Sequence, residues 1–314
     1  MMTRKLWRAL HHPLEWHPVY CRALHLRPLK SPKNPGGWIV FVYLASCCGL
    51  SIFGSFGWLP LVVVATILLG NTLYALSWTT TITGGIARER ETNTYDLLCL
   101  SPSGALVISW ALCTAQIHRT QVFKVVYFAV RLICITAMLA LGIALLIPLG
   151  VLQGIGQRGS NLSPVGLEST LSLLYSLLYA LAIVIIFFAD HIQSMVLGSL
   201  VGIVMPSYVR PGTESRFRSM VTFLALQLVA YGLPAFITLF LVLVYQVLGV
   251  SRWFSNLSLA IVGVIAFLLV REGLIRRYWQ RAMQQLNTDD SELDLIASES
   301  SQKVVGQWSH GEYG

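Results

Sequence analysis

Residues 217–248 form a run of about 32 in which Arg218 is the single charged side chain, and at 1.5 Å per residue such a run makes about 48 Å of α-helix. A stretch that long and apolar answers to hydrocarbon, because a span needs about 20 apolar residues to cross roughly 30 Å of lipid interior. Further apolar blocks recur at 38–56, 61–82, 132–152, 171–189 and 257–270. They are rich in Leu, Ile and Val without strict alternation, so they read as helices and not as the shorter, dyad-patterned strands of an outer-membrane barrel. Composition agrees: 55% of the 314 residues are hydrophobic and 11% charged, against about 25% charged in an ordinary soluble domain. The expected fold is all-α, a polytopic membrane helical bundle of about six transmembrane helices.

Polar punctuation divides the chain. An N-terminal segment, 1–37, precedes a transmembrane hairpin, 38–86, whose two spans turn at Gly57-Trp58-Leu59-Pro60. A loop, 87–124, follows, then spans three to six within 125–271, then a tail, 272–314, that is basic first and acidic later. Two blocks exceed one perpendicular crossing. In the fifth, Gly232-Leu233-Pro234 can break the helix, so a re-entrant hairpin is expected near 235–250. In the fourth, Asp190 and His191 read as the membrane edge, with 193–205 as an interfacial extension; the alternative places Asp190 inside the bilayer with a functional role.

The distribution of Lys and Arg sets the orientation. With both termini cytosolic, nineteen of the 22 basic residues fall in inside segments, Arg158 and Arg252 fall outside, and Arg131 stands at the start of the third span. The expected location is the cell (plasma or inner) membrane, and the net charge of +8 is explained by orientation and anionic membrane lipid, with no nucleic acid required. The N-terminal stretch mixes Leu6, Trp7, Leu10 and Leu14 with basic residues, as an interfacial helix on the inner leaflet would, and Pro13, Pro18 and Pro28 divide it. The six cysteines avoid the outside loops and match no zinc spacing, so neither structural disulfides nor a metal site is expected. The acidic, Ser-rich sequence beyond Asn287 reads as a solvated, partly disordered tail.

Between the second and third spans lies a charged island that is half polar and half apolar. Arg88-Glu89-Arg90-Glu91 cannot sit in hydrocarbon, yet Tyr95, Leu97, Leu98 and Leu100 exceed what a solvated loop needs. Asn93 is a competent N-cap, Asp96 stands three residues on, and Pro102 closes the segment, which predicts a short helix of about two turns. Tyr95, Leu98 and Cys99 share one face by their spacing. Such an element either docks into a groove of a cytosolic partner or rests on the bilayer surface.

The run from Glu89 through Thr94, Asp96, Leu97 and Leu98 to Ser101-Pro102 resembles a segment of the membrane subunits of type-2 ABC transporters, the exporter permeases. In that family a Glu-x-Glu pair is followed by Gly-Thr, an acidic residue, a Leu-Leu pair and Thr-Pro or Ser-Pro. Glu89 and Glu91 match the acidic pair, Thr94 the threonine, Asp96 the acidic residue, and Leu97-Leu98 the leucines, without a gap. Asn93 stands where the family prefers Gly, and Ala111-Leu112 where Gly-Lys is common. The resemblance implies a coupling helix built from Arg88, Glu89, Arg90, Glu91, Asn93, Thr94, Tyr95, Asp96, Leu97 and Leu98, with Arg88 to Glu91 holding the joint and Tyr95, Leu97 and Leu98 supplying apolar contact. It also implies a separate ABC ATPase subunit and a second permease subunit as partners, with ATP and Mg on the ATPase. The chain carries no Gly-rich loop ending in Gly-Lys-Ser or Gly-Lys-Thr, so no cofactor is expected on it and it is not expected to be an enzyme. Two further readings are a non-transporting membrane scaffold or assembly protein, and a secondary transporter using Asp190 and Arg131.

Overall fold

The computed structural model describes residues 1–11, 17–25, 59–99, 104–119, 122–158, 164–208, 213–286 and 288. The first expected span, 38–56, and the acidic tail lie outside them. Among the described residues the structure is helical, with no strand: α1 (Met2–His11), α2 (Pro18–His25), α3 (Leu59–Glu91), α4 (Thr94–Cys99), α5 (Gly104–His118), α6 (Val122–Arg158), α7 (Pro164–Val204) followed by a 3-10 turn (Met205–Ser207), α8 (Thr213–Val247) and α9 (Arg252–Leu286). Among the described residues four helical stretches are long and apolar enough to cross a membrane: Val122–Leu146, Leu174–Ser207, Thr213–Val247 and Leu257–Leu286. Only 11% of the most apolar part of the first and third is buried, and an apolar surface that open requires an apolar solvent. The chain is a multi-pass membrane protein whose described elements are all helical.

Helix ends follow from local chemistry. Pro18 opens α2, where its missing N–H costs nothing, and His17 Nδ1 accepts from the Val19 N–H at 3.3 Å. Gly249, at φ +61°, ends α8; its N–H donates to the Gln246 carbonyl and the Val250 N–H to that of Tyr245, the pairing that a left-handed residue permits at a helix C-terminus.

Two expectations change. The re-entrant hairpin near 235–250 does not form: α8 continues unbroken through Pro234, which lies inside it. Proline removes one backbone donor, which frees the Ala230 carbonyl, and a membrane helix can run on past that single loss. Likewise α7 does not stop at Asp190-His191; both residues are buried within a continuous helix.

Two compact units divide the chain, and α6 to α9 contribute residues to both. The first comprises Met1–Lys124, His191–Val229 and Arg271–Gly314. Its core gathers Leu6, Leu10, Ile82, Ile108, Trp110 and Phe223. Here the apolar side of α1 packs into protein: Leu6, Ala9 and Leu10 are buried, while Arg4, Lys5 and Arg8 are exposed. Both ends of α1 are tied. Glu272 of α9 accepts from the Met2 N–H (2.6 Å) and the Thr3 hydroxyl, a carboxylate where the helix dipole favours one. Trp110 Nε1 donates to the Ala9 carbonyl (3.4 Å) and His118 Nε2 meets that of Leu10 (2.8 Å), satisfying C-terminal carbonyls.

In the same unit α7 lies tightly against α3. A Cβ at Gly198 would meet Thr79 Oγ1 at 2.5 Å, and one at Gly202 would meet Ile82 Cγ2 at 2.9 Å. The Gly198-x-x-x-Gly202 pair thus serves intrachain packing. Gly198→Leu is expected to lower stability by about 1–3 kcal/mol through overpacking, read as a fall in the thermal midpoint of the detergent-solubilised protein; Gly142→Leu, where a Cβ meets nothing, leaves it unchanged.

The second unit comprises Val125–Asp190 and Ala230–Val270. Tyr231 stacks on Phe267 (6.3 Å between ring centres) and its hydroxyl donates to Asp190 Oδ1 at 2.9 Å. Leu139, Ile143, Phe236 and Leu269 are exposed, as lipid-facing side chains are.

Candidate functional site

The charged island belongs to the first unit, and α3 carries it without interruption. This helix covers the expected second span and continues to Glu91, a length of 33 residues. Thr92 and Asn93 then turn the chain into α4. Asn93 takes the left-handed conformation, φ +56°, and its N–H donates to the Arg90 carbonyl at 3.0 Å. It therefore closes α3 as a glycine would, which accounts for Asn at a position where the resembling segments carry Gly. The Thr94 hydroxyl donates to the Glu89 carboxylate (2.6 Å) and lies 3.0 Å from the Glu89 carbonyl. The Thr92 hydroxyl lies 2.8 Å from that of Thr94, so one carboxylate and two threonines fix the corner between α3 and α4.

Two side chains lock the corner to the body of the unit. Arg90 donates to the Pro206 carbonyl (2.7 Å) and the Ser207 hydroxyl (3.1 Å), at the end of α7, and its guanidinium carbon sits 4.6 Å from the centre of the Tyr95 ring. Tyr95 is only 4% exposed. Because Ser109 donates to the Ala105 carbonyl (2.7 Å), the Tyr95 hydroxyl donates to Ser109 Oγ (2.7 Å). Burial pushes the Tyr95 phenol above its usual range, so it stays neutral. The expected role of Tyr95 as apolar contact for a partner is therefore corrected: its ring anchors α4 on α5. Glu89 also lies 3.7 Å from Arg22 of α2.

Among the residues of the corner whose side chains are described, the exposed ones are polar. Arg88, Glu91, Thr92 and Asn93 are exposed, and Leu98 and Cys99 are half-buried. Of Asp96 and Leu97 the backbone alone is described, and both stand in α4. The corner presents a charged tip on a rigid mount. The mount is rigid because α3, α5, α2 and the end of α7 each hold a named side chain of it.

Sequence reasoning missed a second polar cluster in this unit. Arg271, counted beforehand among the inside basic residues at the end of the sixth span, is 1% exposed. Its Nη1 donates to Ser194 Oγ (2.9 Å) and its Nη2 to Gln227 Oε1 (2.6 Å), while Gln227 Nε2 donates to the same Ser194 oxygen (2.9 Å). One guanidinium ties α7, α8 and α9 together. The available signal was a Ser and a Gln inside long apolar blocks, since such groups seek partners within the protein. His191, on α7, stacks on Tyr74 (5.8 Å), with its Nδ1 3.4 Å from Asn71 Oδ1.

Among the described residues no group of three or more His, Cys, Asp or Glu side chains stands close enough to hold a metal ion. Cys113 on α5 is buried, and desolvation pushes its thiol up to about 12; Cys21 is exposed. A thiol reacts as the thiolate, so maleimide is expected to label Cys21 in the folded protein and Cys113 only after denaturation, read as masses of the labelled peptides.

No protein-family model, curated protein or solved structure matches this chain.

Proposed function

We propose that the chain is the permease subunit of an ATP-driven exporter of the type-2 ABC class, and that the corner at Arg88 to Cys99 is where a separate nucleotide-binding ATPase grips it. The observation that carries this reading is mechanical: α3 runs from the expected second span to Glu91, and a two-residue turn joins it to a short helix anchored on α5. A push on the tip is transmitted to α3 because Glu89, Arg90 and Tyr95 leave the corner little freedom. Six spans, cytosolic termini and two permease copies around a path complete the proposal, and the excess of basic residues in the inside segments supports the orientation. The chain forms the path; ATP and Mg reside on the partner.

The test begins with the full-length protein purified from its native membrane. An ATP-binding-cassette ATPase is expected to copurify, and its hydrolysis to rise when the two are combined. Reversing the exposed pair, Arg88→Glu with Glu91→Arg, leaves the fold intact and lowers that stimulation about ten-fold or more, since like charges brought together across an interface are costly. Persistent isolation of the chain favours the scaffold reading instead. A secondary transporter is supported by the buried Asp190 in the candidate span Leu174–Ser207; it requires transport without ATP, driven by an ion gradient.

A further inference from the structure

A cavity of about 400 Å³ opens in the first unit, lined at the end of α7 by Val204, Met205 and Tyr208, on the first turns of α8 by Phe217, Arg218 and Val221, and late in α9 by Tyr278 and Arg281. Two guanidinium groups line it, and among the described residues no carboxylate does. Arg281 lies over the Tyr278 ring, 5.4 Å from its centre, and stacking on a ring leaves the in-plane N–H donors of a guanidinium available to an acceptor. Arg218 donates to Glu214 at 2.7 Å, but both side chains are 57% exposed, and a pair that open to solvent is readily exchanged. Along α8 the apolar wall continues outward. Phe217, Val221, Leu224 and Leu228 recur at i, i+4, i+7 and i+11, which places them on one stripe, and all four are exposed, from 39% at Leu224 to 75% at Leu228.

We infer that this cavity binds the headgroup of a net-anionic phospholipid, with Arg218 and Arg281 on the phosphate and the acyl chain laid along the stripe from Phe217 to Leu228. Guanidinium forks match phosphate oxygens by paired donors, which favours phosphate over any uncharged headgroup. The two arginines repel a choline or ethanolamine cation, and among the described residues no acidic group lines the cavity to receive one; Glu214, which is not part of its lining, is held by Arg218. The apolar stripe is what selects a lipid over free phosphate, because an inorganic ion gains nothing from it. The inference stands apart from the ATPase partner and holds equally for a scaffold.

The experiment uses the full chain in detergent and native mass spectrometry with dioleoylphosphatidylglycerol, dioleoylphosphatidylcholine and inorganic phosphate as probes. One phosphatidylglycerol is expected to be retained in preference to phosphatidylcholine. Arg218→Gln with Arg281→Gln weakens that retention on the order of twenty-fold, from the contribution of two basic residues at a membrane surface. Val221→Trp, which keeps both charges but fills the cavity, weakens it comparably, whereas Arg4→Gln with Arg8→Gln on the exposed face of α1 leaves it unchanged. Millimolar inorganic phosphate fails to displace the lipid. Equal retention of the two lipids, loss in the arginine variant without loss in Val221→Trp, or displacement by inorganic phosphate would each overturn the inference; because Arg218 is exposed and Val221 tests the same cavity independently, misfolding of one variant does not remove the test.

Discussion

On the proposed coupling role, Tyr95→Ala is expected to abolish most ATPase stimulation while the protein stays in the membrane. The helix α4 has six residues, far too few to hold its own conformation in water, so its position depends on what it buries. Truncating a buried aromatic costs about 3–5 kcal/mol, and here it also removes the surface on which Arg90 rests and the donor to Ser109. The tip then moves without pulling α3, and stimulated hydrolysis is expected to fall by an order of magnitude, roughly the effect of 1.4 kcal/mol or more in coupling. Hydrogen exchange in 94–99 rises in parallel. Tyr95→Phe separates the two contributions: it keeps the ring and loses one hydrogen bond worth about 1 kcal/mol, so coupling stays near normal. Equal loss in both variants would mean that the hydroxyl, and not the anchoring ring, matters.

Arg271→Ala is expected to be the most destabilising single change in the first unit. It deletes two charge-assisted hydrogen bonds, at roughly 1.5–3 kcal/mol each, and opens a cavity among α7, α8 and α9. Arg271→Met refills most of the volume and leaves the bond from Gln227 to Ser194 in place, so its cost is smaller, because replacing a buried charge with a packed apolar group is often tolerated. Thermal midpoints in detergent should rank wild type above Arg271→Met above Arg271→Ala. If Arg271→Met is as damaging as Arg271→Ala, the guanidinium is more than a tie between helices.

Much of the fold was legible in the sequence because hydrocarbon leaves few choices. The apolar blocks at 132–152, 171–189 and 257–270 all lie within long helices, and a short helix follows Asn93 as expected, although Asn93 takes the left-handed conformation that closes α3 and not the extended one of an N-cap. Errors arose where a local signal met a continuous helix. Pro234 looked like a break, but one lost donor is a small cost to a helix whose remaining backbone must pair with itself in lipid. Asp190 and His191 looked like an edge because a charge in an apolar run suggests water; burial against Tyr231 and Tyr74 within the protein supplied the alternative. The basic N-terminus looked interfacial because amphipathic helices with cationic faces have the same pattern whether the apolar side meets lipid or protein. Periodicity states that a face is buried and not what buries it. For the island, the sequence identified the residues, but only the three-dimensional arrangement divided them into anchors, Glu89, Arg90 and Tyr95, and an exposed tip.

Everything turns on what touches that tip. Placing a photo-reactive residue at Glu91, which is exposed, and irradiating intact cells tests it most directly. The account predicts a covalent product with a nucleotide-binding ATPase whose yield changes with ATP. Products confined to phospholipid, or labelling of residue 91 by a reagent held outside the cell, would contradict it.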